Sequence, residues 1–153
     1  MIGQKLKLRY LKPRQWCDKY EVLIHAMFEV LCRFMEDEPK MIKLIKWNYN
    51  PKYKHAKAEM DALYKWWKKR QNREDNSPFN KLRKRKIEIS PELKKGKEVE
   101  PGCFEFSLVH KSPKHKLMWE KVCDEENEFE EQCREEDDDA MKRLIKIHRF
   151  MWT

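Results

Sequence analysis

From Lys114 to Thr153 the chain contains neither glycine nor proline, and Met118, Val122, Phe129, Cys133, Ala140, Leu144 and Ile147 keep the phase of one helix face throughout. Such a span is incompatible with a turn-rich all-β fold, whose strands need a two-residue period and frequent breaks. The same argument covers Arg14 to Glu38, where Trp16, Tyr20, Leu23, Ile24, Met27, Phe28, Leu31, Phe34 and Met35 recur at helical spacing without an interruption. With only 3 glycines in 153 residues, the fold class expected is mainly α. We expect three principal helices in one compact domain of residues 1–153, with a small β-hairpin or irregular insertion.

The boundaries follow from breakers and caps. The first helix is predicted over 14–38, because Pro39 disfavours helical backbone in the residue before it. Met41 to Trp47 reads as a short turn of helix, and Asn48, Asn50 and Pro51 mark a loop. A second helix is predicted over 51–71, with Pro51 in its first turn and Asn72, Asn76, Ser77 and Pro78 beyond its end. Residues 113–153 read as one long helix or two joined near Glu135 to Asp139, with Ser112 as N-cap and Pro113 at the first helical position. Residues 1–13, where Leu6, Leu8 and Tyr10 alternate with Lys5, Lys7 and Arg9, read as a basic arm or short strand. Residues 76–112 read as a basic linker with a possible hairpin. Phe104, Phe106 and Leu108 alternate with Glu105 and Ser107 after Pro101-Gly102, which predicts a strand at 103–109 with Ile87 and Ile89 on its partner.

Charge narrows the partners without choosing one. A net charge of +8 and an isoelectric point near 9.2 suit nucleic acid, acidic protein or anionic lipid. No apolar run approaches the ~18 residues of a membrane span, and Met1 to Lys5 lacks the apolar region of a signal peptide. A soluble, unsecreted protein is therefore expected. Cys17, Cys32, Cys103, Cys123 and Cys133 form no Cys-x-x-Cys pair and are odd in number, which predicts reduced thiols that act as small apolar packing residues.

Two runs of opposite sign stand out. Between 81 and 97, Lys81, Arg83, Lys84, Arg85, Lys86, Lys94, Lys95 and Lys97 face only Glu88 and Glu92, as in a solvated connector or a mobile phosphate-binding arm. From Asp124 to Asp139 there are 11 carboxylates and one cation, Arg134. That density repels itself, so the helix needs its apolar stripe or nearby cations, with 81–97 the obvious source.

Tyr64-Lys65-Trp66-Trp67 closes the apolar stripe of the second helix among cations. Adjacent helical residues are about 100° apart, so if Trp67 joins Ala56, Met60, Leu63 and Tyr64, Trp66 must look sideways or outward. An outward Trp beside Lys65, Lys68, Lys69 and Arg70 suits a stacked base flanked by phosphates, and packing against another helix of the chain is the competing reading.

Catalytic signatures are sparse. His25 with Glu29, and His55 with Glu59, each place an imidazole and a carboxylate one helical turn apart, the spacing of a weak metal-site candidate. Neither has the His-Glu-x-x-His or Glu-x-x-His pattern of known helical metal sites. His110 and His115 suit a wet loop. The carboxylates Glu125, Glu128, Glu135 and Asp138 are too closely spaced to meet around magnesium from two facing helices. No phosphate-cradling glycine loop or nucleophile elbow occurs. No cofactor is expected.

Three segments, His25 to Leu31, Glu59 to Trp67 and Leu144 to Thr153, together resemble a small uncharacterised protein family of tailed bacteriophages. The resemblance covers roughly a third of the chain and carries no activity with it. It implies a phage origin and a bacterial host cytoplasm. The expected function is a non-enzymatic phage accessory protein that binds nucleic acid or a nucleic-acid-handling host protein complex, through Lys65, Trp66, Lys68, Lys69, Arg70, Lys81, Arg83, Lys84, Arg85 and Lys86. The alternatives are a structural or assembly component of the virion, in contact with phage structural proteins, and, more distantly, a metal-dependent enzyme. No membrane partner is expected.

Overall fold

A computed structural model describes residues 7–11, 18–37, 39–71 and 78–151. Its elements are α1 (Lys19–Asp37), α2 (Pro39–Leu44), α3 (Pro51–Arg70), α4 (Pro78–Glu88), β1 (Glu92–Glu100), β2 (Cys103–Val109), α5 (Pro113–Ile147) and a closing 3-10 turn (His148–Met151). The described chain is thus mostly helical, with five helices and one two-stranded antiparallel sheet. Among the described residues no helix is long and apolar enough to cross a membrane. The expected helix start at Arg14, with Trp16 and Cys17, lies outside the described residues, as do 1–6 of the N-terminal arm, 72–77 and Trp152.

The chain divides into two compact units, Met1–Arg73 with Arg134–Thr153, and Glu74–Cys133. In the first unit the predicted stripes become one core, except that Leu23 is exposed. Ile24, Phe28, Leu31, Cys32 and Phe34 of α1 bury against Ala56, Met60, Leu63 and Trp67 of α3, together with Ala140, Met141, Leu144 and Ile147 of α5 and Met151. Phe28 and Trp67 stack with ring centroids 4.6 Å apart and planes within 16°. An aromatic pair of this kind adds about 0.5–1.5 kcal/mol to the burial of the rings themselves. Asn50 sets the start of α3: its backbone is extended, and its side-chain oxygen accepts from the N–H groups of Lys52 at 2.9 Å and Tyr53 at 3.1 Å. Lys68, Lys69 and Arg70 in the last turn complement the negative end of the helix dipole. Residues 7–11 form a turn and no strand. Arg9 there pairs with Glu29, Glu36 and Asp37 of α1, which uses its charge to hold the segment down.

The second unit corrects the reading of 76–112. The basic stretch is helical from Pro78 to Glu88 rather than irregular. Leu82 and Lys86 of this helix and Ile89 just beyond it, spaced four and three residues apart, are half-buried, as is Asn80, a stripe that the density of charge conceals. Ile87 therefore belongs to α4, and Ile89 directly follows it; the partner of β2 is β1, with Leu93 opposite Leu108 and Lys95 opposite Phe106. The turn between the strands needs Gly102, whose φ of +82° is costly for any residue with a Cβ. Leu93, Phe106 and Leu108 share one face of the hairpin, and all three are exposed. Helix α5 runs unbroken through Glu135 to Asp139, because Val122, Ala140, Leu144 and Ile147 on its stripe are all buried. Ser112 caps it, accepting from the His115 N–H at 3.2 Å.

Candidate functional site

The last two turns of α3 separate the expected binding residues into two groups. Trp67 is fully buried, as its stripe requires. Trp66 is half-buried and packs with its ring centroid 5.3 Å from Phe28, so the sideways position places it against α1 rather than in solvent. Lys68 donates to Tyr10 Oη at 2.5 Å and pairs with Glu36 at 2.6 Å. The hydrogen bonds to Glu36 and then Tyr10 hold its ammonium pKa above the ordinary value. Glu36 also accepts from Tyr64 Oη at 2.6 Å, and these bonds, that from Lys68 first, hold its carboxyl below the usual range.

Arg70 lies deeper still. Its Nε and Nη2 donate to the two carboxylate oxygens of Asp137 at 2.9 and 2.7 Å, and Nη2 also donates to Glu21 at 2.9 Å. The guanidinium sits 5.3 Å from the Trp67 ring centroid. Burial opposes its charge, but the hydrogen bonds and charges of Asp137 and Glu21 outweigh that penalty and raise its pKa. Arg70 and Lys68 are thus both engaged by carboxylates of the chain itself. Lys65 and Lys69, one turn apart, are exposed and make no ion pair among the described residues.

On α4 the division repeats. Arg85 donates to Glu125 of α5 at 3.1 Å, and Lys86 pairs with Glu126 while lying 5.6 Å from the Trp119 ring centroid. The hydrogen bond to Glu126 raises the pKa of Lys86. Part of the basic run therefore does neutralise part of the acidic run, within one unit. Lys81, Arg83 and Lys84 are exposed on the remaining surface of α4 and have no carboxylate partner among the described residues.

The two His-x-x-x-Glu pairs do not form a metal site, and no group of three or more potential ligands occurs among the described residues. Glu29 is buried beneath two guanidiniums, accepting from Arg9 Nε and Arg33 Nε at 3.0 Å each. His25 instead faces Glu21 at 3.6 Å and packs edge-on to Trp67. His55 is exposed, while Glu59 pairs with Arg143 at 2.8 Å. Glu125 and Asp138 are likewise engaged, the first by Arg85 and the second by the Tyr20 hydroxyl at 3.1 Å.

One feature escaped the sequence reading. In the first unit a cavity of about 310 Å³ is lined by Lys52, Tyr53, Arg149 and Phe150. The available signal was the Tyr49/Tyr53 spacing of one turn across Asn50-Pro51 and the adjacent cation and ring of Arg149-Phe150. Neither pair indicates from sequence that the two segments meet. Comparison with protein-family models, curated proteins and solved structures returns no match.

Proposed function

We propose that the protein is a non-enzymatic binding protein for nucleic acid, acting in the cytoplasm of a bacterial host during phage infection. The observation that supports this reading most is the exposed surface of α4. Lys81, Arg83 and Lys84 have no carboxylate partner among the described residues, while the neighbouring Arg85 and Lys86 are held by Glu125 and Glu126. Internal pairing consumes the cations that packing can reach and leaves three others for phosphate oxygens. Lys94, Lys95 and Lys97 of β1 add exposed cations in the same unit, and Lys65 and Lys69 add two on α3. A base-stacking role for Trp66 loses support from its contact with Phe28.

Fluorescence anisotropy with single- and double-stranded oligonucleotides, titrated at several salt concentrations, tests this directly. Replacing Lys81, Arg83 and Lys84 together by Ser should leave the fold intact and reduce the slope of log affinity against log salt by up to ~0.9 per lost phosphate contact. An unchanged slope and affinity would remove α4 from the interface.

A second reading, a structural or assembly component of the virion, draws support from the hairpin. Leu93, Phe106 and Leu108 stand exposed on one face, a hydrophobic contact surface of the kind subunits cover. Presence of the protein in purified particles would favour it over the nucleic-acid reading.

A further inference from the structure

The open depression at the start of α3 combines two features that the exposed face of α4 does not bring together, aromatic rings and flanking cations. Tyr53 and Phe150 meet edge to face, with ring centroids 5.2 Å apart and planes at 77°. Tyr49 meets Tyr53 in the same manner at 6.2 Å and 84°, and it is 76% exposed. An edge-to-face contact covers one face of one partner, so the exposed Tyr49 is the ring that keeps an open face for a flat ligand. The Arg149 guanidinium is 5.0 Å from the Phe150 ring centroid and makes no ion pair among the described residues. Lys52, on the opposite segment of the lining, is exposed and likewise unpaired among them.

Among the described residues no carboxylate lines this cavity. In a chain where Arg9, Arg33, Arg70, Arg85 and Arg143 all find carboxylates, two cations converging on an aromatic cavity without one form a local positive field. The positive end of the α3 dipole adds to it, although Asn50 already satisfies the Lys52 and Tyr53 amides. The ligand that matches is planar and aromatic at one end and multiply anionic at the other. At about 310 Å³ the cavity lies at the small end of ligand sites, which run from about 300 to 1,000 Å³.

We propose that this cavity binds a single nucleotide unit, with the base against Tyr49 and Tyr53 and the phosphate between Lys52 and Arg149. The unit is either a free mononucleotide or one residue of a nucleic-acid strand, since both present the same chemistry. The site extends the function proposed above without depending on α4.

Isothermal titration of the full-length protein with AMP, ribose 5-phosphate, an oligo(dA) hexamer and an abasic hexamer separates the outcomes. AMP binding tighter than ribose 5-phosphate supports a free-nucleotide site. Binding of oligo(dA) over the abasic strand, with no AMP binding, supports a strand-borne nucleotide. Lys52→Gln and Arg149→Gln, both exposed and safe for the fold, should each weaken the preferred probe about tenfold, as loss of a charged hydrogen-bond partner does. Tyr49→Ser should weaken the base-containing probes several-fold and leave their base-free counterparts unchanged.

The proposal is overturned if the base-containing and base-free probes bind alike. It is equally overturned if the Lys52→Gln/Arg149→Gln double variant binds as the parent does. The Lys81→Ser/Arg83→Ser/Lys84→Ser variant is the control that keeps the two readings apart. It should bind AMP as the parent does, and failure of the α4 test leaves this reading standing.

Discussion

Arg70 offers the sharpest quantitative test of the division between structural and available cations. Arg70→Met keeps the stem and most of the volume while removing the charge and its donors. Asp137, only 3% exposed, then loses a two-pronged partner at 2.9 and 2.7 Å, and Glu21 loses its bond at 2.9 Å. Breaking a buried ion pair by deleting one partner costs about 3–5 kcal/mol where the remaining charge keeps no other contact, and Asp137 has contacts besides Arg70, so a loss at the lower end of that range is expected. That is a large fraction of the roughly 5–15 kcal/mol that stabilises a domain. Urea denaturation followed by far-UV circular dichroism and tryptophan fluorescence should show the loss, with Trp67 reporting directly since Arg70 lies over its ring. The Arg70→Met/Asp137→Leu double variant should recover about half of the loss or more, the non-additivity expected of a coupled pair. A single-variant cost below ~1 kcal/mol with an unchanged denaturant slope would mean that Arg70 is solvated in solution, and it would return to the list of candidate phosphate ligands.

Two further outcomes follow from burial. The Cys32 thiol is buried and pushed up to about 11, chiefly by desolvation, so iodoacetamide at pH 8 should label exposed Cys103 rapidly and Cys32 only after denaturation; early labelling of Cys32 would contradict the packing of α1 against α3. His25 is held below its ordinary value of 6.5 by burial first and the Arg70 charge second, against the pull of Glu21, so the fold favours the neutral ring. Stability should therefore be complete above about pH 6.5 and fall as the pH drops from there towards the lower folded pKa, and His25→Gln should flatten that part of the profile; equal pH dependence in the two proteins would refute the assignment.

The elements that were legible in the sequence are those whose apolar stripe is continuous. Residues Ile24 to Phe34 and Ala56 to Trp67 repeat at helical spacing without a competing signal, and both became core. In α4 the stripe shrinks to Leu82, Lys86 and Ile89, one of them charged, so charge counting obscured a helix whose backbone meets no breaker before Pro91. β1 was missed for a related reason. Lys94, Lys95 and Lys97 dominate its alternation, and Ile87 and Ile89 carried the stronger β-like signal. Trp66 shows the limit of reasoning from a narrow stripe. Neighbouring tryptophans do point differently, with planes 37° apart, but Phe28 reaches far enough to meet both rings. The nucleotide cavity joins Tyr53 to Phe150, a juxtaposition fixed by tertiary packing alone.

Counting every cation as equally available is what spread the expected site too widely, and the chemistry of the two basic side chains explains the correction. A guanidinium presents a rigid fork of donors and is weakly hydrated, so it enters partly buried ion pairs at low cost; a lysine ammonium keeps its water more tightly. Arg9, Arg33, Arg70, Arg85 and Arg143 all pair with carboxylates, whereas Lys65, Lys69, Lys81 and Lys84 remain exposed without one among the described residues. Lys68 and Lys86 pair with Glu36 and Glu126 beside the rings of Tyr10 and Trp119, and the other lysine pairs, such as Lys57 with Asp61 and Lys116 with Glu120, link neighbours one turn apart on a single helix. Arg83 and Arg149 are then informative, because among the described residues they make no ion pair. Each marks one of the two proposed surfaces, the first on α4 and the second over Phe150 at the nucleotide cavity.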